Sequence, residues 1–398
     1  MSETAATDRA ATEFAGRRGR LFRLALGASL LTVLTLGLYR FWMKTRLRRW
    51  YWSAIRPAGL PLEYAGLPSE KLLGFLMAVV ILAFYLGVVN LGLTFLSFAF
   101  FEGLAVGHAL TFAGLLPLVF YARYRARRYL LARTRWRGIR FGMEPGAWGY
   151  VARALWHWFL AIITLGLLWP RKRFWLEKYL TDRTYFGTQP MLQEGRWWML
   201  LPPFLPVIAT VGASVVALLA ALGGAGEGIL ALLVLVPLAV VALFNWQVAS
   251  FRRLTAAKRA GPVRFHPAPR LRRVIAIHLF GGMAISLVAL AVLVLFVLAA
   301  GLAVAGMGLD GEMDSLEGAM AALPPPVLAA MAVGVYFAGF ILFEALAHAF
   351  LRMPLARHYA ETLTLSGTEA LSGVRQRGRD ALAQAEGFAD ALDVGAAL

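Results

Sequence analysis

The stretch Leu72-Leu73-Gly74-Phe75-Leu76-Met77-Ala78-Val79-Val80-Ile81-Leu82-Ala83-Phe84-Tyr85 opens a window that contains neither Lys nor Arg as far as Tyr121. A transmembrane helix needs about 20 apolar residues, so the window has room for two. Two more such windows run over 197–251 and 274–351. The pattern predicts three transmembrane hairpins: 72–100 with 104–121, 199–222 with 229–245, and 274–305 with 327–350. Composition agrees: 60% of the 398 residues are hydrophobic and 16% are charged. Soluble domains carry about 25% charged residues, so a water-soluble fold is excluded.

Charge placement orients the hairpins. Their tips carry Glu102, then Glu227, then Asp310, Glu312, Asp314 and Glu317, with no Lys or Arg, while the formal net charge of +18 collects between hairpins. The positive-inside rule puts those basic segments in the cytoplasm. The expected location is the bacterial cytoplasmic (inner) membrane, multi-pass, with both termini cytoplasmic. Glu3, Asp8 and Glu13 mix with arginines at the start and no short apolar run ends in a cleavage site, so no cleaved signal peptide is expected. There is no cysteine, which excludes disulfides and thiolate metal sites.

Two shorter apolar runs, 24–39 and 154–170, break the regularity. Sixteen helical residues reach about 24 Å, short of a hydrocarbon core of about 30 Å. Each run holds Thr-Leu-Gly near its end and is followed by a basic amphipathic helix, 40–55 and 171–181. They read as re-entrant or interfacial segments. The alternative is two short full spans, giving eight spans and inverted repeats. That arrangement places 7 basic residues of 40–71 and 9 of 123–153 outside, 16 of 40, against the positive-inside rule.

Thr35-Leu36-Gly37-Leu38 aligns with Thr164-Leu165-Gly166-Leu167, and without a gap Lys44 falls over Arg173, Arg49 over Lys178 and Trp50 over Tyr179. An internal duplication follows: a disordered N-terminus 1–13, membrane repeats 14–143 and 144–270, an additional transmembrane hairpin 271–365 and a cytoplasmic tail 366–398. Short runs such as Ile139-Arg140-Phe141 and Thr362-Leu363-Thr364-Leu365 read as small strands at the cytoplasmic face. The expected fold class is an all-α polytopic membrane protein with small β elements.

Phe14-Ala15-Gly16, Leu34-Thr35-Leu36-Gly37-Leu38-Tyr39-Arg40-Phe41-Trp42-Met43-Lys44-Thr45-Arg46 and Arg48-Arg49-Trp50 resemble the YjgN family of bacterial inner-membrane proteins, a domain of unknown function. The similarity reaches to about residue 365. It implies a location and no activity. The second copy departs from the string, with Leu168 in place of the tyrosine and Pro170 in the following segment.

Two constellations are candidates for chemistry. Glu344 is the one acidic residue inside an apolar run, and a spacing of four puts Glu344, His348 and Arg352 on one helix stripe. With His278 on the preceding helix they form a candidate proton or ion site; the alternative is a carboxyl that only holds helices together. Asn90, Asn245 and Gln247 read as interhelical hydrogen-bond partners. The second constellation comprises Lys44, Arg46, Arg48, Arg49, Arg125, Arg127, Arg128, Arg171, Lys172 and Arg173, candidate contacts for anionic lipid or phosphate because guanidinium forks pair with phosphate oxygens. The alternative is topology signal alone.

Phosphate-loop, metalloprotease and nucleophile-elbow motifs are missing from the sequence, so no enzyme, cofactor or metal is expected. Nucleic acid is not an expected partner, since the aromatics beside the arginines suit a membrane interface. The bilayer, with its anionic phospholipids, is the expected partner, in an envelope role. The rival is a secondary transporter or channel for a small anionic solute, proton-coupled through Glu344.

Overall fold

The structure is a computed structural model and describes residues 9–101, 104–306 and 323–378. The acidic tip residues Glu102, Asp310, Glu312, Asp314 and Glu317 lie outside the described residues. Contacts divide the chain into two units: one of Met1–Ala15, Tyr51–Leu271 and Tyr359–Leu398, the other of Gly16–Trp50 and Arg272–His358.

The described residues of the first unit form ten short strands: β1 (Arg9–Phe14), β2 (Ile55–Pro57), β3 (Leu62–Tyr64), β4 (Thr134–Trp136), β5 (Ile139–Met143), β6 (Thr184–Phe186), β7 (Gln189–Gln193), β8 (Lys258–Ala260), β9 (Val263–Pro267) and β10 (Leu363–Ser366). All join one antiparallel sheet in the order β2-β1-β10-β9-β8-β7-β6-β5-β4-β3. Its edges β2 and β3 are consecutive in the chain, so the sheet is nearly closed and barrel-like. The all-α expectation is corrected by this sheet: the small β elements are not local ornaments but ten parts of a single structure. A strand of three to six residues cannot stand alone, and closure gives nearly every one two neighbours. Strand β1 begins at Arg9, inside the segment read from sequence as disordered. Trp136, Phe186, Ala260 and Val263 form a buried cluster with Leu371 from the chain beyond β10.

Five helical stretches connect paired strands, and each is closed in the same way. The N–H of the residue after one strand donates to the carbonyl of the residue before the next: Ala15 to Ala54 (2.8 Å), Ala65 to Arg133 (2.8 Å), Glu144 to Arg183 (2.9 Å), Glu194 to Ala257 (2.7 Å) and Ala268 to Thr362 (2.8 Å). Every stretch therefore leaves and re-enters the sheet through neighbouring strands.

In the first unit, α3 (Pro68–Phe84) continues through a π-helical turn into α4 (Asn90–Phe101), which packs on α5 (Leu104–Ala132). Asn90 bridges the pair, accepting a hydrogen bond from Thr111 Oγ1 at 2.6 Å. The pair α6 (Ala147–Ile163) and α7 (Trp169–Thr181) follows, then α8 (Leu205–Leu222) against α9 (Gly226–Ala256). Gly228 lets those last two backbones meet, since a Cβ there would stand 2.6 Å from the Ala217 carbonyl oxygen. The second unit contains α1 (Arg18–Leu34), most of α2 (Arg40–Ala54), α10 (Leu271–Gly306), α11 (Pro325–Leu346), a π-helical turn over Ala347–Arg352 and the start of α12 (Met353–Glu361). There α1 packs on α11.

Among the described residues six helices are long and apolar enough to cross a membrane: Pro68–Phe100, Val106–Ala132, Leu205–Leu222, Gly226–Ala256, Leu271–Gly306 and Pro325–Glu361. They coincide with the six predicted spans. The two short runs form different structures. Helix α1 stops at Thr35 and α6 at Thr164, and Leu36-Gly37 and Leu165-Gly166 take φ of 50° and 92° and of 48° and 88°. Gly37 N–H reaches back to Thr32 and Leu36 N–H to Val33, and Gly166 and Leu165 repeat this with Ala161 and Ile162. This is a Schellman termination that turns the chain into α2 and α7.

Candidate functional site

The basic residues singled out in the sequence separate by burial. On α2, Arg46 and Arg49 are exposed, Lys44 is half-buried and Arg48 is buried. Arg46 lies 5.5 Å over the Tyr39 ring. On α5, Arg125 bonds to Tyr121 OH at 2.9 Å, and buried Arg128 donates through Nε to the Met143 carbonyl at 2.9 Å. On α7, Arg171 is half-buried and Arg173 lies 5.5 Å over the Trp246 ring. Several of the charges thus bind the chain's own aromatics and carbonyls.

Lys172 is the furthest from solvent among the α7 cations. Its Nζ stands 3.6 Å from the Trp158 ring centre and 2.9 Å from that of Trp169, and the two indoles meet edge to face at 5.2 Å. Burial, with Arg123 adding repulsion, pushes its pKa down to about 7. Next to Trp158 on α6, His157 stacks on Trp175 of α7 at 6.4 Å with planes 6° apart. Burial and then Arg171 and Arg153 push the His157 pKa down. The α6–α7 pair therefore encloses an amine and an imidazole, both biased toward the neutral form.

Glu177 is the counter-charge that sequence reading passed over. It pairs with Lys258 of β8 at 2.5 Å and with Arg127 of α5 at 3.5 Å, tying three elements together. Burial alone raises a carboxyl pKa, but Lys258 and Arg127 outweigh it and hold Glu177 well below the usual range. Beside it, Tyr124 and Tyr179 donate to the carbonyls of Glu144 (2.6 Å) and Gly146 (2.8 Å), where β5 leads into α6. A lone Glu in a basic helix carries no sequence signal for this role.

In the second unit the predicted stripe is a contact. Arg352 Nη1 is 3.2 Å from Glu344 Oε2 and 2.8 Å from His348 Nε2, and His348 Nε2 is 3.8 Å from the same carboxylate oxygen. The helix widens to π-helical geometry over Ala347–Arg352 and still brings the three together. His278 Nδ1 lies 2.8 Å from the Val274 carbonyl on its own helix.

A family model described as a bacterial protein of unknown function (DUF898) matches residues 9–391. No curated protein and no solved structure matches the chain.

Proposed function

From the premise that the chain belongs to the DUF898 family, which is the YjgN family, we propose that it is a multi-pass protein of the bacterial cytoplasmic membrane that engages anionic lipid, or another phosphate-bearing amphiphile, through a basic cytoplasmic face. The observation that carries this reading is the return of every helical stretch to one sheet. A chain whose five excursions all begin and end at neighbouring strands keeps its strands on one side of a bilayer. Those strands contain Arg9, Arg56, Arg135, Arg140, Lys258, Arg259 and Arg264, against Glu13 and Glu63. Seven basic residues against two acidic ones support a cytoplasmic side for the sheet by the positive-inside rule.

The same connectivity favours six spans with α1–α2 and α6–α7 as re-entrant pairs, and leaves the repeats 14–143 and 144–270 parallel. Each basic residue near an anionic leaflet contributes about 1 kcal/mol, and Arg46 and Arg49 are exposed on α2, as is Arg40 at its start. The test is mass spectrometry of lipid co-purified with the full chain. Phosphatidylglycerol or cardiolipin should be enriched over phosphatidylethanolamine and depleted by Arg46→Ala with Arg49→Ala. No enrichment in the wild type, or none lost in the variant, would sink the reading.

A further inference from the structure

Two of the β-hairpins place arginines directly opposite each other. Arg135 on β4 pairs in register with Arg140 on β5, and Arg259 on β8 with Arg264 on β9. Like charges directly opposite on antiparallel strands repel. In the second hairpin Glu194 answers both: its carboxylate is 2.8 Å from Arg259 Nε and 3.5 Å from Arg264 Nη1.

The five repeated closures superpose one hairpin on the other without a gap. Glu194 closes on Ala257, and Arg259 and Arg264 stand two and seven residues after Ala257; Ala65 closes on Arg133, and Arg135 and Arg140 stand two and seven residues after Arg133. The place of Glu194 is therefore taken by Ala65. Among the described residues no carboxylate forms an ion pair with Arg135 or Arg140, whereas Arg259 and Arg264 share Glu194. Glu63 faces Arg135 across the β3–β4 ladder without pairing. Glu70 is held by Arg133 at 2.5 Å and by Tyr129 OH at 2.8 Å.

Where the missing carboxylate would lie there is a cavity of about 340 Å³, lined by Ala65, Glu70, Arg133, Arg135 and Arg140 among others. Three guanidiniums against one carboxylate leave it with a net charge of +2. We propose that this cavity is a binding site for a phosphate group, whose oxygens take between Arg135 and Arg140 the place that the Glu194 carboxylate takes between Arg259 and Arg264. Guanidinium forks match phosphate oxygens bidentately. Glu70 is in the first turn of α3 and Ala132 in the last of α5, so the site opens at the ends of a candidate membrane hairpin. A phospholipid headgroup and a free phosphate both meet that chemistry. Only the lipid source rests on the function proposed above.

The test is calorimetric titration of the full chain in a neutral detergent with inorganic phosphate, and in parallel with short-chain phosphatidic acid. One equivalent should bind from at least one source. Arg135→Gln, Arg140→Gln and Ala65→Glu, which installs the carboxylate of the other hairpin, should each weaken binding about tenfold or more. Glu194→Ala should add a second equivalent by exposing Arg259 and Arg264. Binding of free phosphate without lipid keeps the site and removes the lipid reading. Binding of the lipid with either ligand's affinity lost in the variants keeps both. No binding of either ligand, or binding untouched by Ala65→Glu and by the arginine variants, overturns the proposal.

Discussion

Leu36 and Leu165 occupy the same position in two separate helical pairs, at φ of 50° and 48°, and are 93% and 94% exposed. Each is a bulky residue in the left-handed region, which costs about 1–2 kcal/mol, with nothing of the protein packed around it. A leucine held out in this way gains its free energy from an apolar surrounding, about 1.5–3 kcal/mol on full burial. Hydrocarbon supplies one. A fluorophore that reports polarity, attached at Leu36→Cys or Leu165→Cys in this cysteine-free chain, should emit as in an apolar medium and be quenched by lipids labelled along the acyl chain. Emission as in water at both tips rejects the re-entrant reading.

The sheet-side turns test the sidedness. Ala58 and Arg137 already stand at φ of 51° and 52°, so Ala58→Cys and Arg137→Cys add no new backbone demand, unlike a substitution of the neighbouring Gly59 or Gly138. In intact cells both should resist an impermeant maleimide and react once the membrane is opened. Labelling of both from outside would instead support eight spans and inverted repeats, an arrangement common among secondary transporters.

The spans were legible in the sequence because hydrophobicity is local: one window of 72–121 is enough to see a hairpin. The sheet was not. Its strands are three to six residues long, and β1 meets its partner β10 across more than 350 residues. Ile139-Arg140-Phe141 and Thr362-Leu363-Thr364-Leu365 could be recognised as strand-like, but no local pattern says that they belong to one sheet. At the candidate site, spacing found the Glu344, His348 and Arg352 stripe, whereas the side on which a helical arginine ends up depends on its neighbours. Arg48, Arg128 and Lys172 carry the same sequence signal as Arg46 and Arg49 and turn inward. The Arg135 and Arg140 pair had a usable signal: two arginines five apart around a two-residue turn fall opposite each other.

Lys172 gives the α6–α7 pair a pH dependence. Its folded pKa of about 7 lies below the unfolded value near 10.5, so between these limits the unfolded chain binds more protons and stability rises with pH. Below pH 7 the cost of charging the buried amine is fully present. Lys172→Met removes the titration. Its thermal midpoint in detergent should therefore exceed that of the wild type at pH 6.5, by a margin that narrows toward pH 10. A constant margin across that range would show that the amine is not desolvated.

Glu177 has the opposite sign. Lys258 and Arg127 hold its folded pKa down, so the stability it contributes is present above the ordinary Glu range and is lost as pH falls below it. Glu177→Gln leaves two half-buried cations without their counter-charge, at a cost of about 1–3 kcal/mol at neutral pH. Denaturant unfolding at pH 7 should show that loss, and the wild type and variant should converge as the pH is lowered through 4. An unchanged midpoint at pH 7 would mean that the three elements are held by packing alone.

Glu344 separates a structural bridge from an ion path. Arg352 contacts both Glu344 and His348, which is what a helix-bracing bridge requires, and interhelical or intrahelical polar contacts of this kind in membranes contribute about 1 kcal/mol. Glu344→Gln should lower thermal stability by a margin of that size and leave proton flux in reconstituted vesicles unchanged. A path through the carboxylate requires it to exchange protons, which the amide cannot do. Loss of a measurable wild-type flux with stability intact would therefore reassign Glu344 from brace to conduit, and with it the protein from lipid engagement to transport.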